Sequence, residues 1–237
     1  MSVDHGRKRG LRRDLLKVRG ALPPDVVAAK GDALARRTLE LDELRAARDA
    51  ARGRDADLES SADLPVGESP VPAVPLTVAA YVSIGGEPST RALLDRLRAA
   101  GVRVLLPVLL PDNDLDWAPY EGAERLVRAG RGLLEPAGGR LGPEAVTEAD
   151  VVLLPGLAVD GRGLRLGRGG GSYDRVLARL ERAGADPALV VLLYDTEVLD
   201  RVPAEPHDQR VHAAVTPSGV HRFARPARGG TKAPERP

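Results

Sequence analysis

Val151-Val-Leu-Leu154, then Pro155-Gly-Leu-Ala-Val-Asp160, then Gly161-Arg-Gly-Leu-Arg-Leu-Gly-Arg-Gly-Gly-Gly-Ser-Tyr-Asp174 is the stretch that decides the fold. Four aliphatic residues in a row, with no polar residue between them, read as a short strand covered on both faces. Such strands occupy the middle of parallel sheets. The glycine-rich run ends where Ser172–Ala183 takes up a helical apolar period, so the segment reads as strand, loop, helix. Further strand and helix patterns flank it. Leu76–Val82 reads as a strand and Pro88–Ala100 as a helix burying Leu93, Leu94 and Leu97, closed by Gly101. Val102–Leu106 is the next strand, Asp114 to Glu135 a strand pair around Trp117 with a turn, Leu189–Leu193 a strand and Val211–Val215 the last one. Alternating strands and helices at this length predict a three-layer α/β/α sandwich with a mostly parallel, Rossmann-like central sheet.

Toward the N-terminus, Leu11, Leu15, Val18 and Leu22 fall on one helical face. Pro23-Pro24 ends that helix and opens the next. Val27, Leu34, Leu41 and Leu44 mark a second helix running to about Arg52. Gly53 to Pro75 carries acids, serines and four prolines without an apolar period, and reads as a mobile insertion. Arg225 onward reads as a disordered tail. Residues 1–224 are therefore expected to form one domain.

Composition narrows the function classes. Lys plus Arg number 35 against 34 Asp plus Glu, a formal net charge of +1. No global field is available to hold a nucleic-acid backbone. One Trp, one Phe and four Tyr make a poor stacking platform for single strands. The absence of cysteine removes disulfides, thiolate metal sites and cysteine nucleophiles. Met1 to Arg13 is charged and is not followed by an apolar core of a signal peptide, and no stretch approaches the ~20 apolar residues of a membrane span. The expectation is a cytoplasmic monomer that binds neither membrane nor nucleic acid.

Ligands of parallel α/β sheets bind beyond the carboxyl ends of the strands. The segments in that position are Ser83–Pro88, Pro107–Asp114 and Pro155–Tyr173. In the last, Gly167, Gly169, Gly170 and Gly171 let the backbone approach an anion and turn N–H groups toward it. The following helix adds its positive end, and Arg165 and Arg168 supply charged donors. Glycine followed by Lys and Ser or Thr, as in the Walker A loop, is absent, and Ser172 stands where a dinucleotide fingerprint would need glycine. By residue chemistry alone the run is a phosphate cradle open to many ligands.

Leu154-Pro-Gly-Leu-Ala-Val-Asp160 with Arg165-Leu-Gly-Arg-Gly-Gly-Gly-Ser-Tyr-Asp-Arg175 resembles the signature of the 5-formyltetrahydrofolate cyclo-ligase family. Lys8-Arg-Gly-Leu-Arg12, Glu87-Pro-Ser-Thr90, Gly132-Leu-Leu-Glu-Pro136 and Val202-Pro-Ala-Glu-Pro-His-Asp208 match further family segments in the same order. The resemblance implies ATP-dependent conversion of 5-formyltetrahydrofolate to 5,10-methenyltetrahydrofolate, with the formyl oxygen phosphorylated and then displaced by N10. It implies ATP contacts from Lys8, Arg12 and the loop Arg165, Leu166, Gly167, Arg168, Gly169, Gly170, Gly171, Ser172 and Tyr173. Val82, Glu87, Arg168 and Tyr173 would meet the folate, Arg168 would also act in catalysis, and Asp174 and Asp208 would be linked to Mg²⁺. Ser172 departs from the family, which commonly has a tyrosine there. His207 adjoins Asp208 without any ligand spacing among the histidines, and reads as a supporting residue. A non-catalytic nucleotide- or folate-binding relative is the alternative; a sugar-phosphate isomerase would need a general base that the sequence does not offer.

Overall fold

In the computed structural model, residues 3–49, 75–205 and 208–224 are described. All of the segment 53–75 except Pro75, His207 and the tail from Arg225 lie outside them.

The chain begins with helices α1 (Val3–Gly20), α2 (Pro24–Leu39) and α3 (residues 42–49). Strands β1 (Thr77–Ala79), β2 (Arg103–Leu109) and β3 (Leu115–Pro119) follow, with α4 (Arg91–Ala99) between the first two. A small hairpin pairs β4 (Leu126–Arg128) with β5 (Leu134–Pro136). Then come β6 (Val151–Pro155), β7 (Ala158–Asp160), β8 (Arg165–Leu166), α5 (Ser172–Ala183), β9 (Ala188–Leu192), β10 (Val198–Leu199), β11 (Ala213–Val215) and β12 (Val220–Arg222).

The main sheet has seven strands in the order β12-β11-β9-β6-β1-β2-β3. Its inner strands β11, β9, β6, β1 and β2 run parallel, and β12 and β3 close the edges in antiparallel pairs. The mostly parallel sheet expected from the sequence is therefore present, with β6 at its centre. Because side chains alternate along a strand, Val151 and Leu153 enter one core while Val152 and Leu154 enter the other. The first core is completed by Leu34 of α2, Leu41 and Leu44 of the next turns, and Leu93, Leu94 and Leu97 of α4. The second is completed by Val176, Leu177 and Leu180 of α5 together with Trp117. Helices thus cover both faces of the sheet.

Several local expectations need correction. The second helix does not run on to Arg52: it stops at Leu39. Its last turn tightens as the Glu40 and Leu41 N–H groups bond carbonyls three residues back, and the Thr38 hydroxyl bonds the Leu34 carbonyl. The break lets Leu41 and Leu44 reach the same core as Leu34. In α1, Val18 is 58% exposed, and the face turned inward instead carries Lys8, Leu11, Leu15 and Arg19. Partnered charges make that face tolerable, as described below. Val211–Val215 is not the final strand, because a two-residue turn returns β12 antiparallel to β11. Fully exposed in pattern, β12 has no apolar period to announce it.

The most consequential departure follows β6. The chain does not pass straight into the glycine loop but forms a second, three-stranded sheet, ordered β10-β7-β8. Its hairpin is pinned by Asp160, which is fully buried. One carboxylate oxygen accepts the N–H groups of Arg162 and Leu164, and the other accepts the Arg162 guanidinium and the Val202 N–H. Burial opposes the charge of Asp160, yet these donors hold its carboxyl below the usual range. Among the described residues no helix is long and apolar enough to cross a membrane.

The central position of β6 sets a stability expectation. Leu153→Ala should lower unfolding free energy by about 2–5 kcal/mol, as deletions in closed cores do. Val220→Ala, at an exposed edge position, should change it by less than about 1 kcal/mol. Denaturant unfolding of both variants checks the ranking, and equal losses would contradict the two-faced burial of β6.

Candidate functional site

A cleft of about 400 Å³ opens beyond the carboxyl ends of the parallel strands. All three segments expected there contribute to it: Ile84 and Glu87 after β1, Pro107 and Leu109 at the end of β2, and Pro155 with the glycine loop after β6. The β4–β5 hairpin closes another side with Arg131, Leu133, Leu134 and Glu135. Glu135 accepts the Leu109 N–H at 2.9 Å, which fixes that hairpin to the sheet.

The turn bearing Glu87 is held before any ligand arrives. The Thr90 hydroxyl donates to the Tyr81 carbonyl at 2.7 Å and accepts the Ser83 N–H at 2.9 Å, while the Thr90 N–H returns to the Ser83 hydroxyl. Glu87 itself is 6% exposed. One of its oxygens accepts the Ile84 N–H at 2.9 Å, and the other faces the Arg168 guanidinium at 3.3 Å. Burial pushes the Glu87 carboxyl above the usual range, against the pull of that N–H and of Arg168 and Arg19. Val82 lines the cleft beside it.

Across the cleft lies the glycine loop between β8 and α5. Gly169 and Gly171 take the left-handed conformation, with φ of +93° and +77°, which a side chain would disfavour. Gly171 caps α5, so the loop delivers the cleft to a helix N-terminus whose first turn carries Asp174. Leu166 is buried beneath the loop and anchors it. Gly167, Gly170 and Ser172 line the cleft from the loop, and Arg168 stands 45% exposed at its lip. Arg165 is buried, donating to the Pro155 carbonyl and to Asp174, both at 3.0 Å. Burial draws the Arg165 guanidinium below its ordinary value, with Asp174 opposing. Tyr173 enters the same wall; burial raises its phenol, and the hydroxyl has no partner among the described residues.

Neither Lys8 nor Arg12 lines the cleft, and of the two only Arg12 touches the glycine loop. Arg12 donates to the Gly167 carbonyl at 3.0 Å and lies against Gly169. Lys8 is buried, its ammonium held 2.7 Å from both Asp208 and Glu205. Burial works against that ammonium, but the two carboxylates outweigh it and raise its pKa. Asp208 also accepts the Glu205 N–H at 2.7 Å.

The structure therefore gathers Val82, Glu87, Arg165, Arg168, Ser172, Tyr173 and Asp174 around one cleft, and sets Lys8, Arg12 and Asp208 outside its lining. Asp174 and Asp208 each pair with a different cation, and no cluster of three or more metal-ligating residues occurs among the described residues. Sequence reasoning missed Arg19, Tyr81, Glu205 and the apolar hairpin wall. Arg19 had a legible signal, since Lys8, Arg12, Leu15 and Arg19 follow helical spacings of four, three and four. The hairpin wall was touched by the Gly132–Pro136 family match but given no place in the site, because strands three residues long carry no readable period.

Comparison with known proteins identifies the family. A sequence profile of the 5-formyltetrahydrofolate cyclo-ligase family matches residues 73–217. The 5-formyltetrahydrofolate cyclo-ligase of Mycolicibacterium smegmatis is 47% identical over 146 residues, covering 60% of this chain and 73% of the relative. The Escherichia coli K12 protein of the same name is 36% identical over 146 residues, covering 61% and 79%. The solved 5,10-methenyltetrahydrofolate synthetase of Aquifex aeolicus has the same fold, with a TM-score of 0.60 at 23% identity over 97% of this chain and 99% of its own. The profile takes in Glu87, the glycine loop, Asp174 and Asp208, and leaves Lys8, Arg12 and Arg19 to be judged on structure. With that match spanning more than half of its length, the chain belongs to the 5-formyltetrahydrofolate cyclo-ligase family.

Proposed function

We propose that this ATP-dependent ligase closes its folate ring in the cleft between the Glu87 turn and the glycine loop. The family reaction takes 5-formyltetrahydrofolate and ATP to 5,10-methenyltetrahydrofolate, ADP and phosphate. The formyl oxygen attacks the γ-phosphorus and ADP leaves; N10 then attacks the activated carbon, and the oxygen departs with the phosphate. Little covalent chemistry falls to the protein, so its contribution is positioning and charge neutralisation.

The 3.3 Å contact between Arg168 and Glu87 carries this reading. It joins the phosphate-cradling loop to the carboxylate suited to a pterin, so the two substrates must meet at that point. Glu87 accepts N–H donors of the pterin through its buried carboxylate. Leu109, Leu133 and Leu134 keep water from the activated carbon. The loop N–H groups and the α5 N-terminus hold phosphate oxygens, and Arg168 moves from Glu87 to neutralise the phosphoryl group in transfer. Tyr173 offers its unpartnered hydroxyl to a bound ligand. Arg12 supports the loop from outside the cleft through the Gly167 carbonyl, and Lys8 ties α1 to Glu205 and Asp208.

The donor chemistry also fits Mg²⁺, which takes one or two hard carboxylates and fills its remaining positions with phosphate and water. Asp174, 60% exposed at the loop, is the carboxylate open to a cation, while Asp208 is held by Lys8. When bound with ATP, the ion neutralises charge on the phosphate oxygens. Asp174 balances Arg165 in the meantime.

Arg168→Ala should lower kcat by about 10²–10³-fold, the usual loss when a transition-state charge partner is removed, while melting stays near that of the parent. A parental kcat in the folded variant rejects the role. Asp174→Asn should raise the Mg²⁺ concentration needed for half-maximal turnover several-fold; an unchanged Mg²⁺ titration argues against metal contact. Because Glu87 is held above the usual carboxylate range, kcat/KM for the folate should fall on acidification at a higher pH than an exposed glutamate would impose. A pH–rate profile of the parent against Glu87→Gln checks the sign, since the variant should lose that limb together with folate affinity.

A further inference from the structure

Arg19 lies in the last turn of α1, outside the region matched by the family profile. It is one of the most deeply buried charges among the described residues, with 2% of its side chain exposed. Two nitrogens donate to Glu197 at 2.6 and 2.7 Å, and one of them also donates to the Gly156 carbonyl at 2.6 Å. Glu197 is held in turn by the Tyr194 N–H at 2.9 Å, and the guanidinium stacks 5.8 Å from the Tyr194 ring. Its remaining nitrogen, Nη1, is buried without a partner among the described residues. A structural salt bridge alone would not place that much desolvated charge here, because apolar residues of similar size hold a core at least as well.

The backbone of the same residue supplies the second observation. A Cβ placed on Gly86 would lie 2.7 Å from the Arg19 carbonyl oxygen and 3.0 Å from its Cβ. The turn that presents Glu87 is thus packed directly on the end of α1, at a contact only glycine permits. Through Gly156 the same arginine holds the chain just after β6, where it enters β7. One side chain fixes the floor under both halves of the cleft.

We propose that Arg19 is a positioning residue for the cyclo-ligase reaction, seating the Gly86–Glu87 turn against the β6 edge and supplying the buried positive charge beneath the Glu87 carboxylate. The inference rests on the assignment of Glu87 to the folate. The charged and titratable groups facing Glu87 are Arg168 from the glycine loop, Arg19 from α1, Tyr81 following β1, Tyr173 from α5 and Tyr194 ahead of Glu197. Arg168 is drawn to phosphate during turnover, and the three phenols are kept neutral by burial. Arg19 is then the cation that stays with Glu87. Its charge favours the ionised carboxylate, so its removal moves the acidic limb of activity to higher pH.

The test compares Arg19→Lys, the double variant Arg19→Met/Glu197→Gln, and Glu87→Gln, all as full chains. The double variant removes both charges together and leaves no bare carboxylate in the core. Circular dichroism and melting establish folding, and KM for each substrate is measured across pH. In the double variant KM for 5-formyltetrahydrofolate should rise about tenfold with KM for ATP within about twofold, and the acidic limb should move up by about half a pH unit or more. Arg19→Lys keeps the charge and should hold the limb at its parental pH while still weakening folate binding through the lost fork. A folded double variant with the parental limb, or with both KM values rising together, overturns the proposal. If Glu87→Gln also leaves the limb and the folate KM unchanged, the folate assignment of Glu87 fails; if Glu87→Gln removes the limb and the Arg19 variants do not move it, only the role of Arg19 fails.

Discussion

Burial of β6 on both faces is the constraint from which the site follows. A strand that gives alternate side chains to two separate cores must have a helix layer on each side, and parallel neighbours supply them through crossovers. Parallel neighbours also bring their carboxyl ends to a single edge. The Ser83–Glu87 turn, the end of β2 and the chain beyond β6 therefore meet without any sequence adjacency. The cleft sits on the edge where these three segments converge.

What was legible in the sequence was what local periodicity encodes. Val151–Leu154 lacks any polar interruption, and it stands at the centre of the sheet; α5 begins and ends at Ser172 and Ala183 as its spacing and flanking glycines require. The loop chemistry of Arg165 to Asp174 was equally readable, because glycine, arginine and a helix start act over a few residues. The β7–β8 hairpin was not, since two- and three-residue strands carry too little pattern and depend on Asp160 gathering donors from as far as Val202. The inward face of α1 was misread for a related reason. Periodicity assigns leucine and valine to the interior, whereas partners at Glu197, Glu205 and Asp208 make Lys8 and Arg19 the better buried residues and leave Val18 in solvent.

Those partners also explain how so charged a site stays ordered. Arg19 shares its burial with Glu197 and a carbonyl, Lys8 with two carboxylates, and Arg165 with a carbonyl and Asp174. Of these, Arg165 is fixed by its partners while it also lines the cleft. Charges prepared in this way need little reorganisation when phosphate or carboxylate arrives. Arg168 is the exception, exposed at the rim with one long contact, and it is the cation positioned to change partners.

The Lys8 contacts bear on biosynthesis. Its ammonium closes onto acids 197 and 200 residues further along. On the ribosome, α1 is made well before those acids, and its charged face must wait through the 197 and 200 residues that separate them before it finds its carboxylates. Until Glu205 and Asp208 leave the exit tunnel, the Lys8 ammonium lacks the two carboxylates that permit its burial. The inward face of α1 is thus completed late, when segments about two hundred residues apart join.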